Sequence, residues 1–255
     1  MALLADYHTH TPYSHGKNTI EENVAAAYEK GLSQIAITDH GFNHAVFPVK
    51  RDEIESQRKE IKEIKDKYPI DILLGVEANI ISKDGRVDIL PQDYYKLDII
   101  IVGYHKLVKH YRKRDFWFFF GNLLSELFKH YSKRQIANNT RAYINAMRNY
   151  DIDIIAHLNK DIKVNVEEVA KVAAETNTYI ELNGKCDHLT DAEIMICLNA
   201  GCKFVINSDA HDKNRVGECH RGLSAMLRNR IPESAVGNYN KIITLKSTKR
   251  KKAKK

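Results

Sequence analysis

The chain has 255 residues, 43% hydrophobic and 29% charged, the balance of a soluble chain that buries one large α/β core rather than two small ones. Its isoelectric point of about 9.0 suggests a nucleic-acid partner, but residues 246–255 alone hold seven Lys or Arg and no acid, leaving 33 basic against 33 acidic residues elsewhere. A neutral body, expected over residues 1–245, argues against specific nucleic-acid binding, and the basic 246–255 tail is expected to be disordered and to meet anionic surfaces nonspecifically. Cys186, Cys197, Cys202 and Cys219 form no CxxC pair, and the N-terminus lacks a signal-peptide pattern. A cytoplasmic protein with reduced thiols is expected. No apolar run reaches the roughly 18 residues of a membrane span.

In chain order, seven short apolar runs are predicted strands: Leu3–Tyr7, Gln34–Thr38, Ile70–Val76, Asp98–Val102, Ile152–Ala156, Tyr179–Leu182 and Lys203–Asn207. They do not alternate, as expected of parallel strands buried on both faces. Helical patterns separate several of them. Thr19 with Glu22, Asn165 with Glu168 and Thr190 with Glu193 have capping-box spacing, and Gly31 and Gly201 suit helix ends. The β-then-α order predicts a parallel sheet, open or closed into a barrel.

Polar residues gather at the strand ends. His8 and His10 follow the first run, Asp39 and His40 the second, and Glu77 ends the third. His105 follows the fourth, His157 the fifth, Asn183 ends the sixth, and Asp209 and His211 follow the seventh. In a β/α barrel those ends converge on one face. Imidazole and carboxylate together suit zinc, manganese or iron, and Glu77 and Asp209 can bridge ions and offset their charge. Asp39 is expected to orient a neighbouring ligand. His44, His110, His130, His188 and His220 lack this placement and are expected at the surface.

Asp6–Thr11 (DYHTHT), Ile37–Gly41 (ITDHG), Gly75–Asn79 (GVEAN) and Asn207–His211 (NSDAH) resemble the signatures of the PHP (polymerase and histidinol phosphatase) family over roughly residues 3–245. The stretch Gly75–Asp88 is closer to its small stand-alone phosphatases than to its polymerase-embedded domains. The resemblance implies a distorted seven-stranded β/α (TIM-like) barrel and a three-metal site. By it, His8, His10, Glu77 and Asp209 hold one ion. Glu77 bridges to a second with His105 and His157, and His15, His40 and His211 hold a third. It also implies hydrolysis of a small phosphorylated metabolite by a metal-activated hydroxide. Asp209, His211, His157 and Glu77 are the candidate catalytic residues, and Lys106, Lys160 and Arg215 the candidate phosphate contacts. Two departures, Leu158 after His157 and Lys106 after His105, remove no ligand.

Competing readings are a barrel amidohydrolase, a proofreading-type nuclease, or a noncatalytic scaffold. No strand-end lysine offers a carboxylated bridge, the body is neutral, and the ligand set is complete. The segment at about 106–135 is long for this family. It carries Phe116–Phe120 (FWFFF) and Leu123, Leu124, Leu127 and Phe128 between basic runs. Asn122, Ser125, Glu126 and Lys129 fall at helical spacing and form a polar stripe, which leaves the rest as a broad apolar helix face. The segment reads as core, as a lid or dimer contact, or as a weak membrane contact through 114–128.

Overall fold

The computed structural model describes residues 2–109 and 112–247. Seven parallel strands pair in sequence order: β1 (Ala5–Thr9), β2 (Gln34–Ile37), β3 (Asp71–Asn79), β4 (Ile99–Gly103), β5 (Ile154–Ile155), β6 (Tyr179–Asn183) and β7 (Phe204–Asn207). Helices α1 (Ile20–Glu29), α2 (Glu53–Ile64), α3 (Lys113–Leu127), α4 (Lys133–Asn149), α5 (Val166–Glu175), α6 (Asp191–Asn199) and α7 (His220–Arg228) lie between or after them. This is a nearly closed, TIM-like β/α barrel. None of its described helices is long and apolar enough to cross a membrane.

Caps fix the helices that aim the strand ends. Thr19 and Thr190 accept from the backbone of Glu22 and Glu193 in complete capping boxes, each worth about 1 kcal/mol. Asn165 accepts from Glu168 N, and its side-chain amide donates back to the Glu168 carboxylate at 2.7 Å, where a complete capping box uses the cap's backbone N–H. Gly31 and Gly201 take the left-handed conformation just past their helices, at φ 76° and 84°.

Strand limits differ from the apolar runs. β1 and β3 extend to Thr9 and Asn79, since a buried site lets polar residues continue the ladder. β5 shrinks to two residues, although Asp153 and Ala156 still donate to Ile100 and Val102.

Two apolar layers result. Tyr7, Ala36, Ile99, Ile101, Ile154 and Val205 fill the barrel with Ile243 and Leu245, while a larger cluster packs the outer strand faces against the helices. At the C-terminal ends, His10 N donates to Ala210 O and Ala210 N to His8 O, joining β1 to β7. Lower down, one side chain spans the seam: Asn238 donates to Ala5 O and Ile206 O and accepts from Ile206 N. Lys246, assigned to the tail by composition, instead bonds Asp153, Ile152 and Thr178 at the start of β5 and β6. Residues 248–255 lie outside the described chain. All four cysteines are free thiols.

Candidate metal centre

The residues at the strand ends converge. Glu77, 1% exposed, is central: its oxygens lie 2.6 Å from His157 Nε2, 2.8 Å from His40 Nδ1, 3.2 Å from His105 Nε2, 3.5 Å from His8 Nε2 and 3.8 Å from His10 Nε2. Asp209 Oδ1 lies 3.5 Å from both His10 Nε2 and His211 Nδ1, and 3.8 Å from His8 Nε2. Four triplets of donor atoms fit within a single ion's reach: His8, His10 and Asp209; His8, Glu77 and His157; His40, Glu77 and His105; and His10, His40 and His211. His15 falls outside these triplets. It is exposed, with its ring 4.2 Å from His211 and 4.9 Å from His40.

Charge is matched to this packing. Burial opposes ionisation of Glu77, but His105 and His8 hold its carboxyl well below the usual range. Asp209 is likewise held down against burial, by His8, His10 and Lys160. Burial lowers His157 and His211 to about 4, helped at His157 by Lys160. His8 goes the other way, because Glu181, Glu77 and Asp209 outweigh its burial. Even so, His8 Nε2, both nitrogens of His10, His40 Nδ1, His105 Nε2 and Glu77 Oε2 are buried without a hydrogen-bond partner. So many orphaned donor atoms around one point would be costly unless a cation completed them. The donor set, imidazole with carboxylate, fits a divalent transition metal.

A second layer aims these rings. Glu181 accepts from His8 Nδ1 (2.8 Å), His157 N (2.9 Å), Asn183 (3.0 Å) and Asn207 (3.0 Å). His105 Nδ1 donates to Asn79 Oδ1 at 2.7 Å, and Asp88 takes the Asn79 amide at 2.6 Å. With Nδ1 occupied, both rings present Nε2 to the centre. Glu181 escaped the sequence reading, yet its alternation with Asn183 on one strand face was a usable signal. Asp39 does not orient His40 as expected. It accepts from Thr11 N, Thr11 Oγ1 and Ser14 Oγ, and so holds the loop that follows His10.

Two histidines expected at the surface are not there. His44 is buried, stacked 4.7 Å from His40 and edge-on to His105 at 5.6 Å, and accepts from Phe47 N through Nδ1. Its Nε2 therefore carries the proton, and burial lowers it to about 3. His188 is half-buried, 5.9 Å from His157. His130 and His220 are exposed as expected, and His110 lies outside the described residues. Lys106 pairs with Asp161 at 2.6 Å, tying together the loops after β4 and β5. Arg215 sits in a 3-10 turn with its Nε buried and unbonded. His157 and Asp209 both hold left-handed backbone, at φ 32° and 53°, a strained conformation that recurs at functional sites.

A family model for the PHP domain matches residues 6–185. The chain belongs to the PHP domain family. A probable phosphatase of Caldanaerobacter subterraneus subsp. tengcongensis is 31% identical over 250 residues, covering 93% of this chain and 88% of the relative. One from Shewanella sediminis is 28% identical over 248 residues, covering 93% and 90%. Among solved structures, histidinol phosphate phosphatase from Lactococcus lactis, complexed with zinc, L-histidinol and phosphate, superposes with a TM-score of 0.57 at 15% identity. That match covers 90% of this chain and 94% of the other, and it establishes the shared fold. The chain is a PHP-family, metal-dependent phosphatase.

The insertion folds as α3, with one face packed on the barrel and the other open. Asp115, Phe118, Phe119 and Asn122 form the inward face of α3. Asn122 exchanges amide hydrogen bonds with Asn139 of α4 (3.0 and 2.8 Å), and Asp115 pairs with Arg86 at 2.7 Å. Trp117, Leu123, Leu127 and Phe128 point outward. Of the polar stripe, Asn122 joins the buried contact, because a paired amide can be buried at little cost, while Lys129 stays exposed.

Proposed function

We propose that this phosphatase hydrolyses a small phosphomonoester with three divalent ions held at the barrel mouth. His8, His10, Glu77 and Asp209 hold one; Glu77, His105 and His157 a second; His15, His40 and His211 the third. The buried, unpartnered donor atoms gathered on Glu77 and Asp209 carry this reading. Divalent ions there supply an activated water as nucleophile and neutralise charge on the phosphoryl oxygens.

The chain's own groups do the remainder. Glu77 and Asp209 stay ionised through their histidine neighbours. His157 and His211 stay neutral at pH 7 and offer lone pairs rather than protons. Lys160, in the loop after His157, places positive charge on Asp209 and His157 and is the leading phosphate contact. Lys106 is shared with Asp161, which assigns it to shaping the rim. Arg215, with its unbonded Nε, is a further anion contact.

The Lactococcus enzyme's zinc and histidinol make zinc and histidinol phosphate the first choices for a test. Protein reconstituted with zinc or manganese is expected to carry two to three ions per chain and to release phosphate from one member of a panel. The panel holds histidinol phosphate, sugar phosphates and nucleoside monophosphates. A metal content near zero, or no phosphate release from any member or from an aryl phosphate, overturns the reading.

A further inference from the structure

The outward face of α3 serves neither the barrel nor the metal centre. Trp117, Phe120, Leu123, Leu124, Leu127 and Phe128 are all exposed, Trp117, Leu127 and Phe128 by 67%, 70% and 72%. Their spacing places them on one side of a helix roughly 22 Å long. The opposite side is held by Asp115, Phe118, Phe119 and Asn122, so the helix cannot roll to bury its apolar side without breaking the Asn122–Asn139 and Asp115–Arg86 contacts. An apolar stripe of this extent, fixed in the open, marks an interaction surface.

Charge around the stripe selects the partner. Residues 109–134 contain seven Lys or Arg (Lys109, Arg112, Lys113, Arg114, Lys129, Lys133, Arg134) and two acids, Asp115 and Glu126. Asp115 is buried against Arg86, and Glu126 is paired with Lys129 and Tyr131. The basic residues stand at both ends of α3, and Arg112, Lys113, Lys129, Lys133 and Arg134 are exposed. A second copy meeting this face would bring like-charged collars together. An apolar stripe with a tryptophan, between two cationic collars, instead complements acyl chains under anionic headgroups.

We propose that α3 is a membrane-surface docking helix, which lies flat on an anionic bilayer with Trp117, Leu127 and Phe128 in the headgroup–acyl boundary. Tyr104, next to the candidate ligand His105, packs against Phe118 and Phe119 at 6.1 and 5.6 Å. Docking by the outer face thus holds the barrel mouth beside the bilayer.

Trp117 is the chain's single tryptophan, so its emission reports this face alone. Metal-loaded protein is mixed with vesicles of phosphatidylglycerol and phosphatidylcholine, or of phosphatidylcholine alone. A blue shift and co-sedimentation are expected with the anionic vesicles, weakening as salt rises. Replacing Lys129 and Lys133 by Gln should lower partitioning on the order of 25-fold, about fivefold per charge. Leu127→Glu with Phe128→Glu should abolish the shift and leave aryl-phosphate turnover unchanged. No shift or sedimentation with anionic vesicles overturns the proposal. Binding that survives the double Glu change also overturns it, since the basic C-terminus would then be the anchor. A dimer that the same change dissolves, with no vesicle binding by either form, assigns the face to a second copy and overturns it as well.

Discussion

Glu181 Oε1 accepts the Nδ1 proton of His8 at 2.8 Å, with both side chains sealed from water. This bond fixes the tautomer and turns Nε2 toward Glu77 and Asp209. Glu181→Gln keeps the volume but exchanges a charged acceptor for a neutral amide. Metal affinity is expected to fall about 10- to 100-fold, as for other groups that orient a metal-bound histidine. A competition titration against a chelating dye measures this. Unchanged affinity would show that the cluster alone aims His8.

Asp209→Asn and His10→Ala each remove a donor from the centre and leave the barrel interior untouched. Phosphatase activity should fall to that of metal-free protein, while circular dichroism still reports the folded barrel. Wild-type turnover in either variant would remove that residue from the proposed site.

Gly103 ends β4 beneath the cluster. A Cβ there would sit 2.7 Å from His157 Cε1 and 3.2 Å from Glu77 Oε1. Gly103→Ala should therefore displace the His157 ring, lowering bound metal by at least one ion per chain and turnover by more than tenfold. A fully loaded, active Gly103→Ala protein would mean the ring can move without leaving its ion.

His8 makes metal uptake depend on pH. Its folded value lies above the ordinary 6.5 because Glu181, Glu77 and Asp209 overcome its burial. The metal-free protein therefore carries this proton at pH 7, whereas His157 and His211, lowered to about 4, carry none. A proton bound more tightly in the fold stabilises the metal-free state fully below 6.5, and that stability is lost as pH rises through the raised value. A metal ion must displace the proton, so uptake releases about one proton per chain and tightens roughly tenfold per pH unit until the raised value is reached. Calorimetry in two buffers of different ionisation heat measures the proton. Affinity that does not vary between pH 6 and 8 would rule out the exchange.

The seven strands and most of the cluster were legible because apolar runs and strand-end histidines are local patterns. The supporting layer was not. Glu181 acts on His8 across 173 residues, and Asp88 on Asn79 across a turn of nine, and nothing beside them in sequence names these partners. His44 is expected at the surface from its neighbours in sequence, because its burial comes from residues such as His105, in the loop after another strand. In the insertion, the polar stripe divides: Lys129 faces water and Asn122 does not. Asn122 is buried because Asn139, two helical turns into α4, completes its amide.

The seam between β1 and β7 also bears on how the protein comes into being. Tyr7 N is bonded to Asn207, and Ala5 O to Asn238, across separations of 200 and 233 residues. During synthesis the first strand has no closing partner until β7, 200 residues on, has left the ribosome. His8 and His10 therefore wait beside an open edge while β2 to β6 assemble. Contacts this distant in sequence are slow to form, so the barrel shuts after β2 to β6 have paired, and the metal centre, which needs both sides of the seam, matures last.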